Sequence, residues 1–161
     1  MNNLLKILGI FLFCSLCKAQ QTEVSVLKYE DLEKKIQLEK DKLLVVNFWA
    51  TTCAPCVKEL PHFMEINNQY MGNSKFKMLL VSLDRLVDKE RVLKFIKNKN
   101  IAAEVVLLDD IKRMNTWIPR FEKEWDGNIP VTIFYKNGKK VYFNDGEMSK
   151  EDLGKKITEN L

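Results

Sequence analysis

The stretch Leu43-Leu44-Val45-Val46-Asn47-Phe48-Trp49 is a nearly unbroken apolar run, and it leads directly into Cys53-Ala54-Pro55-Cys56. A strand with one wet face alternates apolar and polar residues. A continuous run is instead buried on both faces. Such a strand needs a layer of structure above and below it, which a sheet flanked by helices supplies. The residues after the run predict a helix from about Cys53 to Tyr70, ended by Gly72-Asn73.

The rest of the chain repeats this alternation. Val24 to Leu27 suits a short first strand, and Tyr29, Leu32 and Ile36 recur at helical spacing behind Glu30 and Asp31, whose charges favour a helix N-terminus. Phe76 to Leu83 reads as a second buried strand. Val92, Leu93, Phe95 and Ile96 mark a helix ending near residues 98–100, and Val105 to Leu108 a strand closed by Asp109-Asp110. The segment Ile111 to Asn128 reads as irregular and aromatic-rich, with Met114, Trp117, Ile118, Phe121 and Trp125. Val131 to Tyr135 and Val141 to Phe143 form a hairpin through Asn137-Gly138. Ser149 caps a last helix, with Asp152 at its third position and Leu153, Ile157 and Leu161 as its apolar stripe. The fold class is therefore α/β, a three-layer sandwich with a mixed central sheet flanked by helices.

A length of 161 residues suits one domain with a substantial core, and 46% apolar with 30% charged residues excludes disorder and a membrane bundle. The net charge of +4 is spread over lysines interleaved with acids, as in Glu39-Lys40-Asp41-Lys42. No basic stripe of the kind nucleic acids require results. Residues 1–19 stand apart: Lys6, then a short apolar run from Ile7 to Leu16, then Cys17-Lys18-Ala19. This is the pattern of a secretory leader, too short for a transmembrane helix of about 20 residues. Cleavage is placed after Ala19, leaving 20–161 as the mature domain. Lys18 beside the cleavage site is unusual, so an uncleaved membrane anchor is the alternative. Lipidation at Cys17 is a weaker one, because Leu16 is a poor residue before a lipid-bearing cysteine. A four-cysteine zinc reading of Cys14/Cys17 with Cys53/Cys56 fails, since the leader removes the first pair.

Cys-x-x-Cys at a helix start carries specific chemistry. Disulfide exchange needs a thiolate, and an ordinary cysteine titrating near 8.5 supplies little of it at neutral pH. A helix N-terminus aims unpaired N–H groups and the positive end of the dipole at the first sulfur. Cys56, one turn on, is placed to close the disulfide, and Pro55 suits the first turn, where its missing N–H costs nothing. A plain structural disulfide and a pair of buried thiols are the bland alternatives.

The stretch from Asn47 through Trp49, Cys53, Ala54, Pro55, Cys56 and Glu59 to Pro61 resembles the active-site region of the TlpA/ResA-like extracytoplasmic thioredoxins. The likeness extends more weakly over Leu79 to Asp84, Val106 to Asp110 and Ile129-Pro130-Val131-Thr132. It implies a thioredoxin-like fold, no cofactor and no metal. It also implies reduction or exchange of protein disulfides outside the cytosol, with apocytochrome c a frequent substrate and a membrane or periplasmic electron donor. We expect a monomer. By the same likeness Cys53 and Cys56 are the redox-active pair, and Trp49, Ala54, Pro55, Ile129 and Pro130 form the substrate-binding surface. Pro130 would be cis, leaving the backbone of Ile129 free to pair with an extended substrate. Pro61 matches a helix-kinking proline. Glu59 is placed to move protons at the cysteines, against the plainer reading of a solvated helix carboxylate.

Departures from the family pattern are Asn47, where cytosolic relatives carry a buried Asp, and Thr52, where a tryptophan is usual. The segment from Met114 to Trp125 is longer than the family minimum, which suggests either a substrate-binding flap or packing on the core. His62 reads as a solvated helix residue. A thiol peroxidase would need a threonine three residues before Cys53, where Ala50 stands. A thioredoxin-fold copper carrier or binding module is the non-enzymatic alternative, since soft thiolates also hold Cu(I).

Overall fold

The computed structural model describes residues 23–161, so the leader expected over 1–19 lies outside the described residues. Six strands form one sheet: β1 (Ser25–Leu27), β2 (Leu43–Trp49), β3 (Phe76–Ser82), β4 (Glu104–Leu108), β5 (Val131–Lys136) and β6 (Lys139–Asp145). Their spatial order is β1-β4-β3-β2-β5-β6. The first four run parallel, and β5 pairs antiparallel with both β2 and β6. The sheet is mixed, as the reading of the sequence required.

Five helices cover it: α1 (Tyr29–Leu38), α2 (Ala54–Tyr70), α3 (Lys89–Asn98), α4 (Met114–Phe121) and α5 (Lys150–Asn160). All seven residues of β2 are buried. Its side chains alternate between two cores. Leu43, Val45 and Trp49 join Leu60 and Phe63 of α2, Val92 and Ile96 of α3, and Leu153 and Ile157 of α5. Leu44, Val46 and Phe48 join Leu32 and Ile36 of α1 and Trp117 and Phe121 of α4 on the other face. The continuous apolar run is the direct cause of the three layers.

Local chemistry sets several boundaries. Asn137 and Gly138 both hold positive φ, 53° and 71°, as the two central residues of the tight hairpin turn between β5 and β6. The Ser149 hydroxyl accepts from the Asp152 N–H at 3.1 Å and donates to the Asp152 carboxylate at 2.6 Å, closing the start of α5. Removing that cap in Ser149→Ala is expected to lower stability by about 1 kcal/mol in urea unfolding. The expected stripe on α5 stops at Ile157: Leu161 follows the helix and is 38% exposed.

The segment expected to be irregular contains a 3₁₀ turn, Ile111–Arg113, and then α4. Met114, Trp117, Ile118 and Phe121 hold a helical period that Pro119 and the flanking charges obscured. Pro119 removes one backbone hydrogen bond, yet packing of Trp117, Ile118 and Phe121 against the sheet holds the helix. Tertiary burial overrides local propensity here. The aromatic side chains form a cluster rather than an exposed flap, with Trp125 4.9 Å from Phe48 and 5.9 Å from Trp117 between ring centroids.

Candidate active site

β2 ends at Trp49, and Ala50 to Thr52 carry the chain to Cys53. Cys53 is the N-cap of α2, with extended backbone angles of −87° and 104°. The first-turn N–H of Cys56 donates to Cys53 Sγ at 3.3 Å. The two sulfurs are joined at 2.00 Å across a Cα separation of 5.3 Å. Cys53 is half-buried, whereas Cys56 is wholly enclosed in the core beneath. The outer sulfur is thus the one a second protein can reach, and a helix-start N–H is already aimed at it. In the reduced state the same N–H and the helix dipole stabilise an anion there.

Across from the pair, the Ile129–Pro130 bond is cis. The carbonyl oxygen of Ile129 lies 3.6 Å from Cys53 Sγ. On the near side, Ala54 and Pro55 are exposed at the rim. Trp49 is not part of this rim: its ring is fully buried against Phe95, at 5.1 Å between centroids. Trp49 shares with Leu43 and Val45 the row of β2 that faces α2, α3 and α5, so it is a wall of that core and offers a substrate no surface. That corrects its expected place in the binding surface.

The loop before Cys53 is held by a carboxylate. Asp84, only 4% exposed, accepts from the Thr51 N–H at 2.9 Å, the Thr51 hydroxyl at 2.6 Å, the Ser82 hydroxyl at 2.9 Å and the Arg91 guanidinium at 2.8 Å. Burial pushes its carboxyl up, but these four donors outweigh that and keep it below the ordinary carboxylate range. Thr51, two residues before Cys53, is thereby tied to the segment after β3 and, through Arg91, to α3. Neither Asp84 nor Arg91 was singled out as a site residue from the sequence. The only signal was that Asp84 closes the Leu79-to-Asp84 resemblance.

Glu59 lies one turn beyond Cys56 on α2 and is 2% exposed. Its Oε1 accepts from the Asn47 amide at 2.8 Å and its Oε2 from the Met148 N–H at 2.8 Å. The Asn47 amide also donates to Thr132 Oγ1 at 3.1 Å. Burial pushes the Glu59 carboxyl up to about 7, and the charge of Glu147 adds to this against the two hydrogen bonds. The solvated-carboxylate reading is therefore set aside. His62, in contrast, is exposed on the outer side of α2, as expected.

Residues 23–106 match the thioredoxin family. The chain belongs to the thioredoxin family. Among curated relatives of this thioredoxin, the thiol-disulfide oxidoreductase ResA of Bacillus cereus is 32% identical over 127 residues, covering 76% of this chain and 68% of the relative. A thiol:disulfide interchange protein from Bacteroides sp. has a similar solved structure, with a TM-score of 0.58, 25% identity and coverage of 76% and 75% of the two chains. A DsbF homologue from Corynebacterium diphtheriae shares the fold at a TM-score of 0.64 and 22% identity, covering 78% and 76%.

This thioredoxin is a thiol-disulfide oxidoreductase, with Cys53 and Cys56 as its pair and protein thiols and disulfides as its substrate class. Among the described residues no group of three or more metal-ligating side chains comes together. No described helix is long and apolar enough to cross a membrane.

Proposed function

We propose that this thioredoxin is an exported reductase of protein disulfides that works on extended segments such as those of apocytochrome c. The observation that carries the reading is the half-buried Cys53 at a helix start, receiving the Cys56 N–H at 3.3 Å and facing Ile129 across the cis-proline loop. The first sulfur is thereby activated, partly accessible and set beside a backbone edge.

The reaction starts from the dithiol. The Cys53 thiolate attacks one sulfur of the substrate disulfide. A new sulfur–sulfur bond forms, and the other substrate sulfur leaves as a thiolate that takes up a proton. Cys56 then gives its proton to the Glu59 carboxylate and attacks Cys53 Sγ, expelling the second substrate sulfur. Two electrons pass to the substrate, and the pair becomes the disulfide. A dithiol donor in the membrane or periplasm returns it to the reduced state. Ala54, Pro55, Ile129 and Pro130 form the surface that receives the substrate chain. The backbone supports this role: the Asn128 carbonyl accepts from Trp125 and the Pro130 carbonyl from the Gly146 N–H, while Ile129 between them keeps its amide for a partner strand.

Export rests on the composition of residues 1–19, with 20–161 as the working domain, monomeric and either free or tethered. Protein disulfides form and persist outside the cytosol, which is where a reductase of this kind finds its substrates. The test is a trap in the producing cell. Cys56→Ser should accumulate mixed disulfides with exported proteins through Cys53, and mass spectrometry of the adducts names the substrates. Adducts confined to cytosolic proteins would remove the export reading. A blank from Cys56→Ser matching one from Cys53→Ser would remove the reductase.

A further inference from the structure

The helical insertion that precedes the cis-proline has no assigned role in the exchange reaction. We propose that Trp125, at its end, is a positioning residue that presents the backbone of Ile129 to the substrate strand; this rests on the strand-docking reading above. The indole ring is locked in the aromatic cluster by Phe48 and Trp117 and is 3% exposed. Its single polar atom points outward, and the Nε1–H donates to the Asn128 carbonyl at 2.7 Å. A rigid core element thus holds the peptide group that immediately precedes Ile129.

A second observation places the same loop on the insertion. Gly127 has φ +96°, and a Cβ built there would stand 3.1 Å from Ile118 Cδ1 and 3.6 Å from Met114 Cε. The loop backbone therefore lies close on α4, where the positive φ strains any side chain and a Cβ would displace the tip of Ile118 by a few tenths of an ångström. On its outer side, the Asn128 side-chain amide donates to Asp145 at 2.6 Å, and the Asn128 N–H to Asp126 at 3.0 Å. The loop is fixed from the core, from α4 and from β6. The indole bond sets the plane of the 128–129 peptide, whose N–H is the group Ile129 offers.

Asn128 is exposed, so its carbonyl finds water when the indole donor is lost. Phenylalanine keeps most of the aromatic contacts. Trp125→Phe should therefore stay folded, which its melting transition checks, while the loop loses its fixed orientation. Two substrates are compared: a small aromatic disulfide, and a short extended peptide with one cysteine as a mixed disulfide with the same aromatic thiol. In Trp125→Phe the kcat/KM ratio of peptide to small disulfide should fall about fivefold to tenfold, through the KM of the peptide, the size of one lost hydrogen bond. Gly127→Ala, which strains the positive φ at 127 and crowds Ile118, should shift the ratio in the same direction.

A peptide whose amide bonds on both sides of its cysteine are replaced by trans-alkene isosteres has no carbonyl there to accept the Ile129 N–H. It should be a poorer substrate for the unaltered protein and should lose little further in Trp125→Phe. Equal losses on both substrates, or none, overturn the positioning role. If the unaltered protein reduces the alkene-substituted and plain peptides equally well, strand docking at Ile129 falls first and the role of Trp125 falls with it.

Discussion

Cys53→Ser should reduce turnover of a protein disulfide to the uncatalysed background, whereas Cys56→Ser should complete one attack and stop. A serine hydroxyl does not ionise near neutral pH, so the Cys56 N–H and the helix dipole have no anion to stabilise at position 53. Serine is at the same time a good N-cap. The loss therefore reports chemistry and not unfolding, and circular dichroism should show the helix intact. In Cys56→Ser the backbone N–H that donates to Cys53 Sγ at 3.3 Å is still present. Attack should proceed with release of one equivalent of substrate thiol and leave a stable adduct. A stopped-flow burst followed by no turnover, with the adduct mass on the peptide carrying Cys53, checks both halves. Steady turnover by Cys53→Ser would show that another nucleophile does the work.

Glu59→Gln should change both the stability profile and the rate, in opposite senses. In the folded chain burial holds the carboxyl at about 7, against an ordinary value of 4.5. Between those pH values the folded protein binds more protons than the unfolded chain, so stability falls as pH rises through the window. The contribution of the neutral carboxyl is fully present below pH 4.5 and lost above about 7, a difference of about 3 kcal/mol. Glutamine has no charge to desolvate. Its amide can be satisfied as well, because the Asn47 Oδ1 has no hydrogen-bond partner and can accept from the introduced N–H once the Asn47 amide is turned. Urea unfolding at pH 5 and pH 8 should therefore show a sloping profile for the unaltered protein and a flat one for Glu59→Gln, which is the more stable of the two at pH 8. Reductase turnover should fall by roughly 100-fold, the size of a lost general base. The rate rise through pH 7 should disappear with it. An unchanged pH–rate profile would leave Glu59 a structural carboxylate.

What the sequence disclosed and what it withheld divide along a physical line. The β2 run, the Cys53 helix start, the Asn137-Gly138 turn and the Ser149 cap were legible because each is a local pattern whose cause lies within a few residues. Pro130 was legible only through resemblance. The Asp84 carboxylate escaped because its partners, Thr51 and Arg91, come from different elements, and no spacing joins residues 51, 84 and 91. Asn47 was noted for what it replaces, yet its bond to Glu59 exists only once β2 and α2 are packed. Helix α4 was hidden by Pro119, and Trp49 was misplaced because an aromatic beside a reactive cysteine looks like a binding surface until α2 and α3 are packed over that face of β2.

The bond between Glu59 and the Met148 N–H gives the end of the chain a part in the chemistry at its middle. The segment between β6 and α5 acts as a stopper over a carboxyl group that lies 89 positions earlier in the chain. A partner that loosened this stopper would let solvent reach Glu59 and turn it back into a common acid, with neither cysteine touched. The segment around Met148 is thus a point from which the proton chemistry beneath the cysteines is reached without touching either sulfur.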